Sequence, residues 1–293
     1  TRTSNIWSVA IPQSGIVRLS RAEPVTTGSQ EIEAFDVSAD GRWLVFDSDR
    51  SGIQQLYRMP LQGGEVEQLT NAAEPSMAPR VSGDGREIAY HTFRNGTRQL
   101  FVLPAQGGTP IQVTHDSAQN RMAFWSPDGR SLLFQRDAFM PAQQSGIVSR
   151  DSQGRWGDPR PLLQGGDVPV PAPDGRGALT ISKEGDLVIV PLAGGAPSRI
   201  VVSPRVVPIP GFIWDWSADS RFVYYIGENP ADKTIGIWRA PAAGGTARLL
   251  LRFDDPSRYR VRPWLRVHRN RLYFTQGDQR SDIWMSEVNR RTP

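Results

Sequence analysis

The chain has 293 residues, a formal net charge of +4 and no cysteine, which excludes disulfides and thiolate metal sites. With 38% hydrophobic residues it can bury a large core, yet no apolar run reaches the roughly 18 residues that span a bilayer. The basic balance rests almost wholly on arginine, and the arginines are scattered, apart from Arg258, Arg260, Arg262 and Arg266. No basic stripe or recognisable motif accompanies them, so they read as a solvated surface and not as a nucleic-acid interface.

Taken in order, Thr1-Arg2-Thr3-Ser4 leads without a signal-peptide pattern into Asn5-Ile6-Trp7-Ser8-Val9-Ala10-Ile11-Pro12, a strand ended by proline. Ile16–Leu19 and Val25–Thr27 are two further strand candidates. The stretch Ile32–Thr70 then returns, without a gap, as Ser76–Thr114. Asp40-Gly41 recurs at positions 84, 128 and 174, and as Asp219-Ser220, so the steps are 44, 44, 46 and 45 residues. A period in this range marks a repeat architecture. Each unit reads as four strands. In the first they are Phe35-Asp36-Val37, Trp43-Leu44-Val45-Phe46, Gln55–Met59 and Val66–Thr70, separated by Asp-Gly, Ser-Gly and Gly-Gly turns. Four short antiparallel strands per unit with no helix between them predict a β-propeller blade, and a blade buries its faces only against its neighbours.

The units run over residues 32–71, 76–115, 119–164, 167–202, 209–253 and 261–289, all within one domain, 1–293. The third departs from the pattern over 137–160, where a short strand is expected and an expanded loop stands; such loops are common places for function, and the bland reading is an irregular blade. The last unit contains Trp264–Val267, Leu272-Tyr273-Phe274 and Asp282-Ile283-Trp284-Met285 but no fourth strand of its own. An N-terminal strand is therefore expected to supply its outer edge and latch the ring at six blades. One strand of Asn5–Leu19 is then left over, and a seven-bladed ring with an incomplete seam would use it. Phe46, Tyr90, Phe134, Tyr225, Phe274 and Trp43 are the expected core between blades.

Trp125-Ser126-Pro127-Asp128-Gly129, Phe46–Gly52, Leu56-Tyr57 and Gly63-Gly64 resemble the WD40-like (PD40) repeats of TolB-like bacterial propellers, over nearly the whole chain. The pattern departs at 137–160 and at His268-Arg269, which replaces Asp-Gly, and the α/β domain that precedes the propeller in TolB is not seen in these residues. Ser281-Asp282-Ile283-Trp284 is similar to the C-termini of propellers appended to bacterial kinases and winged-helix regulators. The resemblance implies an interaction, sensor or scaffold module. The lack of cysteine fits either the periplasm or the cytosol, the lack of a long apolar run argues against membrane insertion, and a monomer is expected.

The inner strands of a propeller converge on a central channel. Counting seven residues back from each turn gives Glu33, Met77, Arg121, Asp167, Phe212 and Val261 as a mixed ring at its mouth. Such a mouth suits a protein or peptide partner, a small polar ligand or a hard cation. If a calcium ion sits there, Glu33 and Asp167 are the candidate ligands, since Ca²⁺ takes carboxylates, carbonyls and water. That gives the alternative reading, a calcium-dependent hydrolase of esters or phosphoesters, lactonase-like. The bland reading is that Glu33, Asp167 and Arg121 pair with one another or face water. His91 occupies the slot of Asp47 near a loop face and joins the candidate ligand-binding set. His91, His115 and His268 lie far apart and form no zinc motif. No nucleophile elbow, phosphate loop or dinucleotide fingerprint occurs.

Overall fold

Four of the six repeats share one turn. Ser38 Oγ donates to Asp40 Oδ1 at 2.7 Å and accepts the Trp43 N–H at 2.9 Å, while Asp40 Oδ1 accepts the Arg42 N–H at 2.9 Å. Ser82–Asp84, Ser126–Asp128 and Ser217–Asp219 repeat this arrangement. The glycine after the aspartate has φ of +72° at Gly41 and +67° at Gly129, a region closed to most side chains. At Gly41 a Cβ would also come within 2.6 Å of His268 Nε2, so the first and last repeats meet here. Ser-x-Asp-Gly is thus a turn device and has no catalytic standing.

These turns organise a computed structural model that describes residues 2–137, 143–209, 214–255 and 264–279. It is an all-β, six-bladed propeller. Blade 1 runs from the channel outward as Phe35–Val37, Trp43–Ser48, Gln55–Pro60 and Glu67–Gln68. Blade 2 is Ser76–Val81, Glu87–Arg94, Thr97–Pro104 and Ile111–Gln112. Blade 3 is Asn120–Trp125, Ser131–Arg136, Gln144–Ser149 and Arg160–Gln164, and blade 4 is Val170–Pro171, Gly177–Ile181, Leu187–Pro191 and Ser198–Arg199. Blade 5 is built on Trp214–Trp216, Phe222–Glu228, Ile235–Pro241 and Arg248–Arg252.

Blade 6 is shared between the two ends. Leu265–His268 and Arg271–Gln279 form its inner half, and Arg2–Ala10 and Glu23–Pro24 its outer half. The N-terminal segment therefore supplies two strands, where the sequence led us to expect one. Arg2–Ala10 fills the third position that the repeat pattern gave to Asp282–Met285, residues outside those described. A recurrent bonding pattern explains the fit. In blade 1, Thr70 Oγ1 donates to Gln55 Oε1 (2.7 Å) and accepts the Leu56 N–H (2.9 Å); Thr114, Gln99 and Leu100 repeat it in blade 2. In blade 6, Thr26 Oγ1 does the same with Asn5 Oδ1 (3.1 Å) and the Ile6 N–H (2.9 Å). The leftover strand is accounted for as well: Val17–Arg18 pairs parallel with Leu251 and Arg252 on the outside of blade 5. No seventh blade is needed.

Blade 3 corrects a second expectation. The short strand expected within 137–160 is present as Gln144–Ser149. The irregularity lies in the connections, where 138–142 are outside the described residues and a turn from Arg150 folds Trp156 onto Trp125, with ring centroids 6.0 Å apart.

The core between blades holds Phe46, Phe134, Tyr225 and Phe274 fully buried and Tyr90 nearly so. Trp43 is only half-buried, with the Arg58 guanidinium 4.8 Å from its ring. Other tryptophans tie blades together: Trp125 Nε1 donates to Arg80 O (3.0 Å) and Trp216 Nε1 to Val170 O (2.9 Å).

Two outcomes follow from this packing. Phe46→Ala should destabilise the chain by about 3–5 kcal/mol in denaturant unfolding, because a rigid inter-blade site cannot collapse onto the cavity; a loss below about 1 kcal/mol would contradict its burial. Deleting residues 1–28 removes both outer strands of blade 6 and exposes an unpaired edge. The truncated chain should aggregate or lose its cooperative melt, and an unchanged melting curve in a monomer would refute the two-strand closure.

Candidate functional site

The inner strands carry two rings of side chains, one towards each mouth of the channel. Towards the mouth where these strands begin, the strands of blades 2 and 3 bulge between Met77 and Arg80 and between Arg121 and Phe124. Ala78 and Met122 both sit at φ +55°, a left-handed conformation uncommon outside glycine. Each bulge N–H turns to the preceding blade: Ala78 donates to Asp47 Oδ2 at 2.9 Å, and Met122 to His91 Nδ1 at 3.5 Å. Asp47 Oδ1 also accepts the Glu33 and Ala34 N–H groups, both at 2.8 Å. The slot shared by Asp47 and His91 in the repeat is thus an acceptor slot for the next blade.

Glu33, His91 and Arg121 line one hollow of about 50 Å³ together with Asp47, Arg98 and Trp264. Asp167 is not among its lining residues. It accepts from Val168 N–H (2.8 Å) and from Gln135 Nε2, and Gln135 Oε1 in turn accepts from Arg121 Nε (2.8 Å). Burial pushes the Asp167 carboxyl up, against the nearby Arg121 charge. Phe212 and Val261, the other two ring positions, lie outside the described residues, as do Arg258, Arg260 and Arg262.

The donor set does not fit a calcium ion. Glu33 shares its hollow with two guanidinium groups, Arg98 and Arg121, and Asp167 is engaged by Gln135. Among the described residues no group of three or more His, Cys, Asp or Glu is placed to hold a metal.

A second ring, four residues before each turn, escaped the sequence reading. It comprises Asp36, Arg80, Phe124, Val170, Asp215 and, across the shorter last turn, Arg266. Arg266 Nε meets Asp36 Oδ1 at 2.8 Å and its Nη1 meets Asp215 Oδ1 at 2.9 Å. Arg80 Nη1 lies 3.6 Å from Asp36 Oδ1 and donates to Phe35 O at 3.0 Å. The carboxylates are also held by backbone N–H groups, Asp36 by Val37 and Val81 and Asp215 by Trp216 and Val267. Burial opposes the charge on Arg266, yet Asp215 and Asp36 together raise its pKa above the ordinary value. Burial draws Arg80 down, with Asp36 opposing.

The Arg80 guanidinium lies 4.0 Å from the Phe124 ring centroid and 4.4 Å from that of Trp264. This cation–π stack stands between the two mouths, because Trp264 lines the hollow near Glu33 while Arg80 and Phe124 line a cavity on the Asp-Gly side. Charged residues between apolar neighbours in a buried strand, as in Phe35-Asp36-Val37 and Trp214-Asp215-Trp216, were the signal for this ring.

No family model matches the chain. A putative TolB from Agrobacterium tumefaciens superposes with a TM-score of 0.68 at 21% identity, over 95% of this chain and 99% of that one. In fold, the chain is a TolB-like propeller. TolB from Acinetobacter baumannii gives a TM-score of 0.64 at 15% identity, over 83% of this chain and 62% of that one. An uncharacterised protein of Agrobacterium fabrum is 35% identical over 69 residues, a match that spans 24% of this chain and 22% of that protein. No helix among the described residues of this TolB-like chain is long and apolar enough to cross a membrane.

The hollow makes stability depend on pH. Burial, reinforced by the Glu33 carboxylate, raises Asp47 from the ordinary 3.8 to about 7, although its three N–H donors act the other way. A proton held more tightly in the folded than in the unfolded chain contributes fully below about pH 4, and the contribution is lost as pH rises through 7. Relative to Asp47→Asn, the wild-type chain should lose roughly 1–4 kcal/mol of stability between pH 4 and 8, measured by denaturant unfolding. Parallel pH profiles for the two would show that Asp47 stays ionised.

Proposed function

We propose that the chain is an interaction module that docks a protein or peptide at the channel mouth formed by Glu33, His91, Arg98 and Arg121. The observation that carries this reading is the closed floor. Because Arg80, Phe124 and Trp264 obstruct the channel, this mouth is a shallow hollow with room for a side-chain tip. Charges of both signs on its rim would fix the register of an extended partner and steer its approach, which is what charge complementarity does best at an interface. The TolB-like fold supports this class of role by resemblance only, since one fold hosts many functions. The partner chemistry that suits the rim is a peptide presenting one charged side chain beside apolar neighbours.

A panel of otherwise identical peptides carrying Glu, Lys or Gln at one position tests this by calorimetry. Glu33→Gln should weaken the Lys peptide, and Arg121→Gln the Glu peptide, each about tenfold, equivalent to about 1.4 kcal/mol. If neither charged peptide binds better than the Gln peptide, or if both substitutions leave the preference unchanged, the docking mouth is not here.

A further inference from the structure

The opposite mouth is a different kind of place. On the Asp-Gly side, a cavity of about 320 Å³ is lined by all six blades, a volume in the range of small-ligand sites. Its wall is made of rings. Trp125 and Trp216 line it, and both indole N–H groups are committed to the carbonyls of Arg80 and Val170, so these tryptophans have no donor left to offer. Pro127, Pro171 and Pro173 add three more rings that have no N–H. This side of the cavity is apolar and, in its ring systems, donor-free.

The floor is ionic, and its four charges differ in access. The side chains of Asp36 and Arg80 are each 4% exposed and that of Asp215 is 7%, whereas Arg266 is 22% exposed. Both carboxylates are taken up by backbone N–H groups and by Arg266 itself. Of these four charges, the one a ligand can best reach is therefore the Arg266 guanidinium, held between two acids through Nε and Nη1, while Ser82, Ser126 and His268 also line the cavity. Its charge is already balanced. Two arginines face two aspartates, so a third carboxylate would leave the floor with an excess acid, and a cation would meet a guanidinium. A neutral acceptor satisfies the remaining N–H groups without disturbing that balance.

We infer that this cavity is a second binding site, distinct from the charged mouth, for an apolar ring that carries a neutral hydrogen-bond acceptor such as an amide carbonyl. The ring packs against Trp125, Trp216 and the prolines, and the carbonyl accepts from Arg266. The same chemistry occurs in a free aromatic amide and in a tryptophan- or proline-containing peptide segment. The assignment stands whether or not the charged mouth binds a partner, because different side chains serve each.

Three probes share one ring and differ in charge: N-acetyl-L-tryptophanamide is neutral, N-acetyl-L-tryptophan anionic and tryptamine cationic. Each is titrated into the ¹⁵N-labelled full chain, following the indole N–H resonances of Trp125 and Trp216, assigned from Trp125→Phe and Trp216→Phe. The neutral amide should shift both resonances saturably and bind at least tenfold more tightly than the two charged probes. Arg266→Lys, which keeps the charge but loses the planar fork, should weaken it about tenfold. Should that variant fold poorly, Ala39→Trp obstructs the cavity from an exposed turn position without touching the ionic floor, and should abolish binding. An acetylated and amidated Ala-Trp-Pro-Ala peptide separates the sources: tighter binding than the amide indicates a peptide segment, equal binding a free small molecule, and both support the site. No saturable shift, equal or tighter binding of a charged probe, or binding unaffected by Ala39→Trp would overturn it.

Discussion

Everything in this molecule depends on closing a ring whose two ends belong to the same blade. A propeller blade has no core of its own, so an open ring would leave two apolar faces in water. The closure is a nine-residue antiparallel ladder from Arg2↔Gln279 to Ala10↔Arg271. It is backed by the seam between blades 6 and 1, where His268 packs on Gly41 and Arg269 donates to Asp40 O at 3.1 Å. The ionic belt crosses this seam too, since Arg266 joins Asp215 of blade 5 to Asp36 of blade 1. A buried ion pair adds little net stability against an apolar replacement, but losing one partner is costly. Its contribution here is geometric: it admits one relative placement of three blades.

Much of the fold was legible because the turn chemistry is local. An Asp-Gly turn announces itself locally, and its recurrence at steps of 44 to 46 residues gives the length of the repeat. The closure was less legible for the opposite reason. Pairing of Arg2–Ala10 with Arg271–Gln279 joins segments more than 260 residues apart, and no local pattern states which strand position an end will occupy. The side-chain relay of Asn5, Ile6 and Thr26 was the readable clue, since it copies Gln55, Leu56 and Thr70. It went unread because Asn stands for Gln and the connection to Thr26 differs in length.

The candidate site was half legible. Glu33 and Arg121 meet at one hollow because equal offsets in a repeat arrive at equal heights in the channel, and His91 joins them from a second strand, through the slot that Asp47 fills in blade 1. The choice of offset was the weak step. Seven residues back selects side chains near solvent, whereas four back selects the belt, where every charge must find a partner in low dielectric. In blades 2 and 3 the bulges at Ala78 and Met122 intervene between the two offsets, and the sequence gives no sign of them. Neither residue favours a positive φ, so the strain is imposed from outside, by the acceptors Asp47 and His91 on the neighbouring blade.

The division of the channel has a consequence for how the two mouths behave. A continuous pore would couple them, since a ligand at one end would alter water and charge along its length. Here a guanidinium held between two aromatic rings stands in between, and the stack spans both hollows: Trp264 faces one, Arg80 and Phe124 the other. A stack of this kind has no second arrangement available without breaking the Arg80–Phe35 bond and the ion pair to Asp36. Coupling between sites requires an element with two accessible states that both ligands bias. The rigidity that closes the ring is therefore also what keeps its two faces chemically separate, so that one carries charges of both signs while the other carries rings above an ionic floor.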